Sequence, residues 1–115
     1  MDARLYYLQG TIKRIGKNQD GTISMTLLAE KTFDNPASGA QIPFEIGKEY
    51  SFLLKELPSK DLLNQKVIIY GGGITSNDRD RFLGAKIAYF LKNKHFVDFN
   101  GNEAVLPPTD YPYEL

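Results

Sequence analysis

KVIIYGGGITSNDRDRFLGAKIAYFLK, residues 66–92, decides the fold class. Val67, Ile68, Ile69 and Tyr70 form an apolar, β-branched run, and Phe82 to Leu91 is apolar again with Gly84 inside it. Between them stand Gly71, Gly72 and Gly73 and a polar tip, Ser76 to Arg81. Two β-rich runs separated by Gly, Asn and Asp predict a hairpin. The expectation is two strands joined by a glycine-rich, charged loop.

Working outward, the preceding chain also reads as strands. From Leu5 to Ile15, Tyr6, Leu8, Gly10 and Ile12 fall on one face and Tyr7, Gln9, Thr11 and Lys13 on the other. That alternation marks a half-buried strand, and Gly10 within it predicts a bulge or bend. Asn18, Asp20 and Gly21 make a turn. Thr22 to Glu30 alternates with Ile23, Met25, Leu27 and Ala29 inward. Residues 31–48 lack periodicity, carry Pro36, Gly39, Pro43 and Gly47, and read as a long loop with a short strand near Gln41 to Phe44. Glu49 to Lys55 is a third strand, and Leu57 to Gln65 the one helix candidate, with Ser59 as its cap.

After Leu91, His95 to Phe99 and Glu103 to Leu106 flank Asn100-Gly101-Asn102, a strong hairpin signal. Pro107 and Pro108 end it, leaving an extended tail. The expected organisation is a β-body over residues 1–93, a hairpin over 94–106 and an acidic, proline-containing tail over 107–115.

The chain has 115 residues, 42% of them apolar and 24% charged, which suits one globular domain. The N-terminus lacks the basic start and apolar run of a secretion signal, and no stretch is apolar enough for a membrane helix. A cytoplasmic location is expected. The net charge of zero conceals an asymmetry: residues 98–115 contain Asp98, Glu103, Asp110 and Glu114 and no Lys or Arg. Residues 1–97 therefore carry fourteen basic against ten acidic side chains, a mild basic surplus beside an acidic end.

Catalytic chemistry has little to draw on. There is no Cys, and His95 is the one histidine. Gly71-Gly72-Gly73 lacks the third fingerprint glycine where Ser76 stands, and no Lys follows in a P-loop position. The Asp98–Asn102 and Asn18–Gly21 stretches lack the glycine or acidic ligands of a calcium loop and read as turns. No nucleophile-elbow spacing surrounds any serine. No cofactor, metal or enzymatic activity is expected.

The order strand, strand, long loop, strand, short helix, strand, strand, with a glycine midway along strand one, resembles the OB-fold, a five-stranded Greek-key barrel. Over residues 3–93 the chain is similar in element order to small OB-fold single-stranded-DNA-binding proteins of bacteria, plasmids and phages. Asp110-Tyr111-Pro112-Tyr113-Glu114-Leu115 resembles in kind the acidic C-terminal segments of that family that recruit partner proteins, although it ends in leucine. Other small β-barrels of the SH3-like or translation-factor kind fit the same order.

The resemblance implies an all-β, five-stranded barrel with one short helix, plus the hairpin and tail. It implies non-enzymatic binding of single-stranded nucleic acid, DNA before RNA, with little sequence preference. Such binders join cationic grooves to aromatic stacking platforms. The candidate residues are Lys31 and Phe33 at the start of the long loop, Arg79 and Arg81 on the loop between strands four and five, Lys13 and Lys86 along the phosphates, Tyr70 beside the loop, and Phe90 between Lys86 and Lys92. Tyr6, Phe52 and Tyr89 are expected in the core. The alternative is a protein-interaction or assembly module working through the C-terminal hairpin or tail.

Overall fold

The computed structural model describes the backbone of residues 2–33, 44–55, 57, 62–76 and 79–104, and the side chains of 6–33, 44–55, 57, 62–71 and 85–104. The described chain is all-β, with six strands: β1 Asp2–Lys17, β2 Ile23–Thr32, β3 Glu49–Leu54, β4 Lys66–Ser76, β5 Arg79–Lys92 and β6 His95–Val97. They form one sheet in the order β3-β2-β1-β4-β5-β6. A parallel contact between Leu54 of β3 and Ala85 of β5 closes β1 to β5 into a ring. Starting at Tyr6, the register leads to Gly71, Ala85, Leu54, Ile23 and back to β1 at Lys17, eleven residues further on. A stagger of that size means strongly tilted strands.

The expected alternation sets the interior. Tyr6, Leu8 and Ile12 of β1, Met25, Leu27 and Ala29 of β2, Phe52 and Leu54 of β3, Val67 and Ile69 of β4, and Ala85 and Ile87 of β5 make the main core. Phe44 joins from outside the strands, with its ring edge-on to Tyr6 at 5.2 Å and to Tyr50 at 5.1 Å. Burial of such side chains contributes roughly 1.5–3 kcal/mol each and is the main force holding the ring.

Two glycines are there because aromatic or backbone atoms pass over them. A Cβ at Gly10 would meet the Leu28 carbonyl and lie 2.7 Å from Leu27 Cγ. The register slips beside it, between Gln9 and Gly10, leaving Glu30 as the extra residue of β2. The expected irregularity at Gly10 is therefore present. A Cβ at Gly71 would collide with the Tyr6 hydroxyl and lie 2.7 Å from its Cζ.

The central hairpin differs from expectation. Gly71, Gly72 and Gly73 lie inside β4, and Arg79 and Arg81 inside β5; pairing continues to Ser76 and Arg79, leaving residues 77–78 between the strands. The sequence suggested a loop there because glycine contributes no apolar side chain to the pattern. Backbone pairing does not require one, and Tyr6 fills the space above Gly71.

No helix occurs among the described residues. Within the expected helix, Leu62–Gln65 form a turn closed by the Gln65 N–H on the Leu62 carbonyl at 3.0 Å, with Asn64 in the left-handed region at φ 64°. The same turn is bonded to both backbone groups of Ile12, so β1 claims it as an extension of its pairing with β4. Residues 58–61, with the Ser59 cap, lie outside the described residues, as do the loop over 34–43 and the tail.

The C-terminal strand is held differently too. Asn93 and Lys94, at φ 50° and 69°, join β5 to β6 as a two-residue turn flanked by the Lys92–His95 pair. Positive φ at both positions is what a type I′ turn requires. The Asn100-Gly101 turn also forms, closed by the Asp98 N–H on the Asn102 carbonyl at 2.9 Å. It leads to a single bridge, Val97 to Glu103.

Candidate functional site

The outward faces of β1 and β4 carry a second, smaller apolar cluster of Tyr7, Phe33, Ile68 and Tyr70, with Ala88, Tyr89 and Phe96 packed against it. Tyr7 and Tyr70 are direct cross-strand neighbours with ring centroids 5.1 Å apart. Phe33, just past the end of β2, is only 5% exposed and Tyr70 only 2%. The expectation of Phe33 and Tyr70 as open stacking platforms is thus corrected. Large aromatics gain most by burying area against one another, and burial also raises the Tyr70 hydroxyl above the ordinary tyrosine range. Tyr89 belongs to this outer cluster rather than to the interior.

Cations border the cluster. Lys31 is exposed, with Nζ 5.3 Å from the Phe33 ring centroid. Lys86 is exposed and pairs with Tyr70 in the ladder, so Tyr7, Tyr70 and Lys86 form one row across β1, β4 and β5. Lys13 is exposed, and it is the extra residue of a second β1 bulge, between Ile12 and Arg14. A bulge re-aims the side chain it carries. Arg79 pairs with Ser76 and Arg81 with Ile74 at the start of β5.

Phe90 is separated from this group. The register slips between Ile68 and Ile69, which makes Ala88 the extra residue of β5. The slip reverses the alternation after it. Lys86 faces outward, whereas Phe90 packs against the main core and stacks on Phe99 with centroids 5.0 Å apart and 27° between planes. Phe90 and Lys86 therefore do not share a face, as their spacing in sequence suggested.

Several carboxylates among the described residues are occupied by other cations. Glu49 pairs with Arg14 at 2.7 Å, Glu45 with Lys48 at 3.0 Å, and Glu30 with Lys66 at 2.7 Å. Glu30 also accepts the Thr11 hydroxyl at 3.1 Å. Asp20 and Asp98 are turned into their own turns, where backbone N–H groups of Thr22, Asn100 and Asn102 bond to them. Among the described residues Lys13, Lys31 and Lys86 have no ion pair, nor have Lys17, Lys55, Lys92 and Lys94. Sequence reasoning did not single out Glu30, Lys55 or Phe99. The Asn-Gly signal next to Phe99 was the one pointer to that corner.

No group of three His, Cys, Asp or Glu side chains among the described residues is placed to hold a metal ion. No helix among them is long and apolar enough to cross a membrane. No family model, curated protein or solved structure matches the chain.

Proposed function

We propose that this chain binds single-stranded nucleic acid, DNA by preference, without catalysing a reaction on it. The observation that carries the reading is the set of exposed lysines Lys13, Lys31 and Lys86, which have no ion pair among the described residues, where Glu49, Glu45 and Glu30 are committed to Arg14, Lys48 and Lys66. Phosphates supply the counter-charge such lysines lack, and release of condensed counterions drives the association. Arg79 and Arg81, at the start of β5, are further candidates for phosphate contact.

The strand arrangement supports the same reading. Spatial order β4-β1-β2-β3 is that of a Greek key, and its closure through β3 and β5 suits a small barrel of the OB type, a common carrier of oligonucleotide sites. On this reading Phe33 and Tyr70 are the packed base beneath Lys31 and Lys86 rather than stacking surfaces. The chain would work in the cytoplasm.

Fluorescence anisotropy with a labelled single-stranded oligothymidylate tests the reading. Binding at low salt that weakens in the K31A/K86A double variant supports it. Absence of binding by the unmodified chain at low salt removes it.

The second reading is an assembly module. It is favoured by β6, a strand of three residues with β5 on one side and one isolated bridge on the other. A second chain added to that edge would appear as a concentration-dependent mass in light scattering.

A further inference from the structure

We infer that Phe99, laid on Phe90, is a stacking site for a base of the bound single strand, with Lys92 beside it to meet the adjoining phosphate; this rests on the proposed single-strand binding. Phe99 is 44% exposed although its ring stacks on Phe90 at 5.0 Å. Phe90 is itself anchored against the main core. The pair is therefore an open aromatic surface on a fixed base.

The backbone holds Phe99 in place. The Asp98 carboxylate accepts the N–H groups of Asn100 at 2.8 Å and Asn102 at 2.9 Å, and Gly101 takes φ 87° to close the turn. Phe99 is thus presented from a hydrogen-bonded turn, which lowers the ordering cost of a contact there.

Register puts a cation on the same face. After the Ala88 bulge, Phe90 and Lys92 alternate to one side of β5, with Val97 and His95 as their partners on β6. Lys92 is exposed and has no ion pair among the described residues. Of the acids in the segment after β6, Asp98 is engaged by its turn, and Glu103 lies 3.7 Å from His95. An exposed aromatic face with an adjacent free cation suits a nucleotide unit, because every base has a π-face and every unit a phosphate. This contact lies on the opposite side of β5 from Lys86, so the bound strand would pass over the β5–β6 end of the sheet.

Three variants of the full chain, F99A, F99L and F99W, test the site by anisotropy with the same oligothymidylate, alongside thermal melting. F99A and F99L are expected to weaken binding by roughly 5- to 150-fold, the range for loss of one base stack, with the salt dependence unchanged. Leucine preserves packing on Phe90 but has no π-face, so a merely structural role would be rescued by F99L. F99W is expected to bind as the unmodified chain does and to lose indole emission at saturation. The inference is overturned if the unmodified chain binds and F99L binds equally well, or if F99W binds with unchanged emission. Failure of the unmodified chain to bind overturns the proposed function itself, and the stacking site with it.

Discussion

The Tyr6 ring lies across Gly71, its direct partner in the β1–β4 ladder, so closely that a Cβ at position 71 would stand 2.7 Å from Tyr6 Cζ. Tyr6 is 2% exposed and packs within 6 Å of Phe44 and Phe52, at 5.2 and 5.9 Å, so the ring has little room to move aside. G71A is therefore expected to destabilise the fold by about 1–3 kcal/mol, the usual cost of overpacking. G16A is the control, since nothing lies within 4 Å of a Cβ there, and it should fall within about 0.5 kcal/mol of the unmodified chain. Urea denaturation of the two variants checks the contrast; equal effects would mean that Tyr6 does not need the glycine.

Glu30 occupies the bulge beside Gly10, and its side chain is 24% exposed, whereas Glu49 in the Arg14 pair is 42% exposed. Less solvent around a charge pair means less screening. A double-mutant cycle on Glu30 and Lys66 is expected to give a coupling near the upper end of the roughly 0.2–1 kcal/mol found for exposed pairs, and the Arg14–Glu49 cycle one near the lower end. The reverse order would place the Glu30 pair in bulk solvent.

The Asp98 carboxyl is held below the ordinary aspartate range, first by the Asn102 N–H and then by that of Asn100. A carboxyl depressed in the folded state adds stability that is present above its unfolded pKa and is lost as pH falls through its folded one. Asn100 and Asn102 amide protection should accordingly persist through the pH range in which a free aspartate protonates and decline only below it. Proton-exchange NMR across the acid range checks this. D98N should abolish the acid transition at these amides, and a transition that survives D98N would assign it to another group.

Much of this was legible in the chain. Strict alternation revealed β1, β2 and β3 with their inward residues, and Gly10 announced an irregularity that the register contains. Glycines misled at 71–73, where backbone pairing continues without side chains and the Tyr6 ring fills the space above Gly71. The Asn93-Lys94 turn carries no glycine, so positive φ at a lysine had no marker in the sequence. The Ala88 bulge is equally silent, yet it decides that Phe90 and Lys86 part company. Burial of Phe33 and Tyr70 depends on the outer faces of β1 and β4 finding apolar partners from β5 and β6, a long-range outcome that local pattern does not encode. Lys13, Lys31 and Lys86 were legible as cations; that no carboxylate among the described residues pairs with them was not.

The most direct test of the central claim is the salt dependence of oligothymidylate binding, measured by anisotropy from about 50 to 200 mM salt. Each phosphate neutralised on a single strand contributes roughly 0.7 to the slope of log affinity against log salt, so contacts from Lys13, Lys31 and Lys86 alone predict a slope near −2 or steeper. K31A/K86A should make it shallower by about 1.4. A slope near zero, or the same slope after both lysines are removed, would contradict the account.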